Sequence, residues 1–237
     1  MAYTTIMKKI LLPSLIISFL FGCTSSVTNT ALDSTIQHTG GQSMGDATSL
    51  YWFAERISIP VSAADYVEAG DYGWYQSNYR WEDGKVQELI REGEQLKDNI
   101  GLVPYMIHVR FSQSGDAVYQ QYRLGGKVLP MNTEMLEQIK AEAINVVDQT
   151  KKQNKAGIEL TQGYWDGSEF ETCDGQIFDA IEFNQTLPSF VINRLADIDS
   201  YVAFVGAQQG DSLVVEQLLM LTNDSQSCVE RPQLLKE

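Results

Sequence analysis

Few side chains in this 237-residue chain are of types that do covalent or acid–base chemistry, and their spacing narrows what they could do. Triad-type nucleophilic catalysis needs a histidine as base, and the chain has two. His38 lies in a stretch of Ser, Thr, Gly and Gln that reads as linker, where a lone imidazole is expected to be inert. His108 lies in the alternating run Pro104 to Phe111, on the face of Met106 and Arg110 and opposite Tyr105, Ile107, Val109 and Phe111. That puts it away from the main core, beside Arg110, and no Gly-x-Ser-x-Gly elbow accompanies it. Asp166, Glu169, Glu171, Asp174, Asp179 and Glu182 crowd one region. Paired carboxylates can do general acid–base work or hold a divalent cation through oxygen. The EF-hand spacing is absent, however, and in a chain with 31 acidic residues a solvated acidic rim is the expectation. Zinc would need more His and Cys ligands than are present, and the chain has neither a P-loop nor a Gly-x-Gly-x-x-Gly. The sequence therefore nominates no catalytic residue, metal ligand or cofactor.

Cys23 is the more telling residue. The segment Ile10 to Phe21 is apolar apart from Ser14 and Ser18, and it follows Lys8 and Lys9. It is too short for a comfortable membrane span, which takes ~20 apolar residues. A positive start, a short apolar run and a small residue before a cleavage point describe a secretory signal. Here Leu20-Phe21-Gly22-Cys23 replaces an Ala-x-Ala-like site, and the pattern resembles the lipobox of a bacterial lipoprotein. The resemblance implies that the Cys23 thiol receives a diacylglycerol, that the bond before it is cut, and that the new amine is acylated. Each buried methylene is worth ~0.8 kcal/mol, so two or more chains anchor stably. Thr24, rather than Asp, follows the cysteine, which by the same resemblance favours the outer membrane of a Gram-negative envelope, with the periplasmic side as the default. Met7-Lys8-Lys9 is the more typical beginning, so Met1 and Met7 both stand as starts.

Cys173 and Cys228 are left as a pair in an oxidising compartment, where disulfides persist. A bridge would close a loop of 55 residues, worth at most ~4 kcal/mol by chain entropy. A redox or metal pair is the alternative, but no Cys-x-x-Cys exists and neither cysteine has a nearby histidine.

Removing Lys8 and Lys9 with the signal leaves 15 basic against 31 acidic residues, a net charge of −16. That excludes a basic footprint for nucleic acid and a polybasic face for anionic lipid. With 43% hydrophobic residues the chain can build a core. Residues 1–22 read as signal, 23–48 as a lipidated flexible tether reaching ~25–30 Å, and 49–237 as a single globular periplasmic domain.

Within that domain, Ser49 to Phe53, extended by Ile57 to Val61, suits a strand, and Asp65 to Gly73 a loop. Trp74 to Trp81 and Lys85 to Arg91 flank Asp83-Gly84, a hairpin signal. Pro104 to Phe111 and Ala117 to Leu124 flank Ser114-Gly115-Asp116, and Gly125-Gly126 marks another turn. The helix predicted over about 133–153 is capped by Asn132 or Thr133 and presents Leu136, Ile139, Ala143 and Val146, with Met135 and Val147 widening the stripe. Strands resume at Ile158 to Trp165, Ser168 to Thr172 and Ile177 to Phe183. A short helix is read at Leu187 to Leu195, and Ser200 to Ala207 with Leu213 to Leu221 form a closing pair. The fold class is α+β: a largely antiparallel twisted sheet with one long amphipathic helix packed on one face.

Tyr79-Arg80-Trp81, Ile107-His108-Val109-Arg110-Phe111 with Ser114-Gly115-Asp116, Gly163-Tyr164-Trp165, Thr172-Cys173-Asp174-Gly175-Gln176 and the late Cys228 occur in that order. Together they resemble the envelope lipoprotein family classed as domain of unknown function 1481. The resemblance implies an anchored periplasmic domain, supports a Cys173–Cys228 bridge, and brings no activity with it.

Tyr72, Trp74, Tyr75, Tyr79 and Trp81 crowd ten positions, with Tyr75, Tyr79 and Trp81 on one strand face. Exposed aromatic surface marks interaction sites, so Trp74, Tyr75, Tyr79 and Trp81 form a candidate binding surface, with core packing as the competing reading. The functional expectation is a lipid-anchored, non-enzymatic binding or accessory module. Its partner would be an envelope protein, a glycan or a small apolar ligand; the alternative is a carboxylate-dependent periplasmic hydrolase. Cys23→Ser is expected to abolish labelling by radioactive palmitate, and continued labelling would refute the anchor.

Overall fold

The computed structural model describes Met1, residues 34–184 and residues 186–235. Cys23 lies outside the described residues, as do the apolar signal segment and the first part of the tether. An eight-stranded antiparallel meander comes first: β1 (Ile36–Met44), β2 (Ala47–Arg56), β3 (Ile59–Glu68), β4 (Gly73–Glu82), β5 (Lys85–Lys97), β6 (Gly101–Phe111), β7 (Ala117–Leu124) and β8 (Lys127–Leu129), each paired to the next. The helix α1 (Thr133–Lys155) follows, with the Asn132 side chain accepting the Met135 N–H as its cap. Next come β9 (Glu159–Trp165), β10 (Phe170–Thr172), β11 (Ile177–Phe178), β12 (Ala180–Phe183), the short helix α2 (Ser189–Asp197), β13 (Ser200–Gln209) and β14 (Ser212–Asn223). These strands form a second sheet, ordered β11-β10-β9-β13-β14-β12, in which only the β12–β14 pair is parallel.

Strands with apolar residues on both faces sit between two cores. In β2, Tyr51 and Phe53 face α1 through its Ile139, Ala143, Val146 and Val147. Leu50 and Trp52 face the second sheet through Tyr201, Ala203, Val205 and Leu219. In β13, Val202 and Phe204 turn to a third core with Phe170 and Val215, against which Leu195 of α2 packs. The layers run helix, sheet, sheet, helix.

Helix α1 runs across the hairpin ends of the first sheet. Neighbouring strands are about 4.8 Å apart, so β2 to β6 span about 19 Å, and the 11 positions from Lys140 to Lys151 rise about 16 Å along the helix. Phe111 of β6 lies at Lys140 and Phe53 of β2 at Lys151, and both rings pack in the helix core. Three register shifts bend the sheet about the helix, which lies on its concave side. They fall between Ala54 and Glu55, between Arg80 and Trp81, and between Arg110 and Phe111, each at the turn end of a hairpin. Opposite them Val61, Gln87 and Val118 are the extra residues, as in a β-bulge, which bends and twists a strand pair. Two α1 lysines hold the helix under that end: Lys140 Nζ donates to Gly115 O at 2.8 Å, and Lys151 Nζ pairs with Glu55 at 2.8 Å.

Several readings need correction. The folded part begins at Ile36, so residues 36–48 are β1 and the start of β2 and not tether. Strand β1 looks like linker because Gly40 and Gly41 are wedged between layers. A Cβ on Gly40 would lie 2.3 Å from Gln153 Oε1 of α1, and one on Gly41 2.5 Å from Leu219 Cδ1 of the second sheet. Gln153 also clamps the Gly41 backbone, accepting its N–H at 3.1 Å and donating to its carbonyl at 2.7 Å. The strand read from Ser49 to Val61 is instead a hairpin, turned by Ile57 (φ 51°) and Ser58 (φ 63°) without a Gly or Asn to announce it. Asp65 to Glu68 belong to β3 and not to a loop. Ile177 to Phe183 splits into β11 and β12, which join opposite edges of the second sheet. Gly41→Ala is expected to destabilise the protein by about 1–3 kcal/mol through overpacking, measured by urea unfolding; an unchanged midpoint would show that the layers do not meet there.

Candidate functional site

The three bulges flank one cross-strand row on the convex face of the first sheet. Gln37 pairs with Ala54, Ala54 with Ser62, Ser62 with Arg80, Arg80 with Glu88, Glu88 with Arg110, and Arg110 with Tyr119. Directly paired residues share a face. Small Ala54 and Ser62 lie between long Gln37 and Arg80, so the row dips over β2 and β3. The C-terminal tail crosses beside the dip. Arg231 donates to Gln37 Oε1 at 3.1 Å and to Ser62 Oγ at 2.8 Å, the Asn78 amide donates to Pro232 O at 2.8 Å, and the Leu234 N–H donates to Asn78. The result is a groove of about 1020 Å³ between the tail and strands β1 to β4, bordered by Arg56, Arg80, Trp81, Arg231 and Leu235. A smaller cleft of about 490 Å³ lies beside Cys173 on the second sheet, among Glu159, Thr161, Gln162, Asp174 and Gln208.

The tail is held by more than these bonds. Cys173 and Cys228 are joined by a disulfide, with their Cα atoms 6.1 Å apart. Gln162 donates to Val229 O and accepts the Val229 N–H at 3.0 Å. The bridge thus fixes the base of the segment that walls the groove.

The four aromatic candidates divide. Tyr79 is fully buried and Trp81 nearly so, both in the α1 core, so they supply no exposed aromatic face, although both border the groove. Trp74 is half-buried on the convex face, stacked on Tyr66 at 6.2 Å and donating to Glu94. Tyr75 is half-buried on the concave face under the Arg91 guanidinium, 4.0 Å from its ring.

Sequence reasoning gave no sign of Arg91, which lies at the centre of a buried polar network. Its Nε donates to Ser77 Oγ at 2.8 Å and its Nη2 to the Tyr79 hydroxyl at 2.9 Å, while that hydroxyl donates to Asp65 at 2.8 Å. Glu142 of α1 lies 2.8 Å from Arg91 Nη2, an ion pair whose alignment leaves Glu142 Oε2 without a hydrogen bond; Asp65 Oδ1 also lacks one. Burial raises the Asp65 carboxyl above the ordinary range, outweighing Arg91, Ser77 and Tyr79, which pull the other way. Burial likewise pushes the Tyr51 and Tyr105 hydroxyls up to about 12.

His108 lies on the convex face as expected, but with a partner unseen in the sequence. Its Nε2 donates to the buried Glu88 carboxylate at 2.8 Å, which Arg80 also engages, with Arg110 at 3.9 Å. An orienting carboxylate is thus present. Tyr119 meets the ring edge-on at 4.9 Å, and among the described residues no serine or cysteine side chain hydrogen-bonds either ring nitrogen. His38, read as inert in a linker, sits in β1 with its ring on Phe53 and its Nε2 3.1 Å from Glu55. The acidic group from Asp166 to Glu182 is spread over exposed turns and edges. Asp166 accepts the Glu169 and Ser168 N–H groups, which hold its carboxyl below the usual range. Among the described residues no three His, Cys, Asp or Glu are grouped to hold a metal ion.

A family model described as protein of unknown function (DUF1481) matches residues 39–233. The chain belongs to the DUF1481 family. The match takes in most of β1, all the later strands, both helices, both bridged cysteines and the tail as far as Gln233, while Thr35, Gln37 and Leu235 of the groove lie outside it. No curated protein and no solved structure matches the chain.

Because the Asp65 carboxyl is raised, the native state binds its proton more tightly than the unfolded chain does. Its stabilising contribution is full at low pH and is lost as pH rises from about 4, the ordinary value, through the raised one. The advantage of the native sequence over Asp65→Asn in urea unfolding is therefore expected to be greatest near pH 4 and to shrink towards neutrality. A gap that widens instead would mean that pairing with Arg91 dominates burial.

Proposed function

We propose that this DUF1481 protein is a lipid-anchored component of the Gram-negative envelope whose folded part is a non-enzymatic binding module, with the groove between the tail and strands β1 to β4 as its site. One observation carries the reading: a cavity of about 1020 Å³, of the size that encloses a small ligand, walled by a tail that the disulfide and six hydrogen bonds involving side chains hold in place. A bridged cysteine pair also suits an oxidising compartment, which supports export. Anchorage through Cys23 rests on the lipobox pattern.

The carboxylate-dependent hydrolase has less support. The buried carboxylates are Asp65 and Glu88, which lie on opposite faces of the first sheet, and half-buried Glu142 shares Arg91 with Asp65 inside the helix core rather than in a cleft.

Native mass spectrometry of protein extracted from membranes tests the site. A small-molecule adduct is expected on the native chain and not on Ser62→Trp, which fills the floor of the groove. Circular dichroism would establish that the variant is folded. An adduct retained by folded Ser62→Trp would move the site elsewhere, and an absent adduct on the native chain would count against a small-molecule module.

A further inference from the structure

We infer that the groove binds an anionic amphiphile, a single carboxylate or phosphate head on an apolar chain; this rests on the binding reading above. The charge of the walls carries the inference. The chain has 31 acidic against 17 basic residues, so a surface region drawn at random would be acidic. The groove reverses that balance: Arg56, Arg80 and Arg231 border it, and among the described residues that line it there is no Asp or Glu.

Two of these guanidinium groups are fixed in place. Arg80 is held from behind by Glu88 while its side chain stays 47% exposed. Arg231 is held by Gln37 and Ser62. A guanidinium whose geometry is already set loses little freedom when it takes a bidentate carboxylate or phosphate. The remaining walls set Ala54, Val61, Pro232 and Leu235, whose side chains have no donor for an anion, beside the polar Thr35, Gln37, Ser62, Asn78 and Gln233. A volume of about 1020 Å³ is also far more than a bare oxyanion fills. A head with an apolar chain satisfies both parts of the surface.

The mature lipoprotein in nanodiscs of zwitterionic lipid would be titrated calorimetrically with decanoate, decyl phosphate and decanol, with empty nanodiscs as the blank. Both anions are expected to bind one to one, and decanol about tenfold more weakly or worse, as charge-assisted hydrogen bonds imply. Arg56→Gln and Arg80→Gln are each expected to weaken the anions about tenfold and leave decanol unchanged; added salt should act in the same direction. Arg56→Gln serves as the check if Arg80→Gln disturbs Glu88. Whichever anion binds tighter assigns the head to a fatty-acid or a phospholipid source, and either supports the inference. If decanol binds as well as the anions, charge selects nothing: the inference falls while the groove remains a site. If none of the three binds, the inference falls, and the Ser62→Trp comparison alone decides whether the groove is a site.

Discussion

The seating of α1 against the first sheet is the constraint on which the rest depends. Phe53 and Phe111 lie four strands apart, and both pack on the same 23-residue helix. The three bulges are aligned because each belongs to a hairpin whose turn lies at the same end, so their bends add along one line. The concave side gains a seat for α1. The convex side gains a row in which the register is set by the bulges, and it is this row, through Ala54 and Ser62, that dips to form the groove floor. Seat and groove are two faces of one deformation.

Inside the curl, the sheet does not meet the helix through hydrocarbon alone. Arg91 and Asp65 are almost fully buried, and a charge placed there costs several kcal/mol unless its partners are well arranged. Arg91 has Ser77, Tyr79, Glu142 and the face of Tyr75. Removing any one would leave a buried cation less compensated, which is worth more than the hydrogen bond itself. Such a network contributes little net stability, but it fixes which residue of α1 lies over which strand. Glu142 can reach Arg91 in one register of the helix, and Lys140 and Lys151 reach their hairpin ends in that same register.

Much of this was legible in the sequence. The helix, its Asn132 cap and its buried stripe followed from a 3.6-residue period. The Asp83-Gly84 hairpin and the face of Tyr105, Ile107, Val109 and Phe111 followed from turn chemistry and alternation. Where the reading failed, the local signal was weak or contrary. Strand β1 is polar and glycine-rich because two layers press on it, and Ile57-Ser58 makes a tight turn from residues that give no turn signal. Asp65 looked like a loop residue because its partners lie on other elements. The groove was least legible of all. Gln37, Ser62, Arg80 and Arg231 are brought together by pairing register and by a tail that returns across 194 positions to Gln37 and 169 to Ser62. No short-range pattern can report such a meeting. The aromatic cluster drew attention to β4 for the wrong reason: Tyr79 and Trp81 build the core, and it is Arg80 between them that faces outward.

The two chain ends also bear on how such a groove would be used. Thr35 borders it, and 12 positions separate Thr35 from Cys23. A fully extended chain spans at most about 3.6 Å per residue, so whatever conformation that segment takes, Thr35 lies within about 43 Å of the Cys23 Cα. With a lipid on Cys23, the groove would therefore be held near the bilayer surface by its own wall strand. A leash running to residue 48, as the sequence first suggested, would allow about 90 Å by the same bound. Because β1 continues directly into that short connection, a bilayer-derived amphiphile would have little distance to cross, and the positive walls would meet its head group before the rest of an acidic protein could repel it.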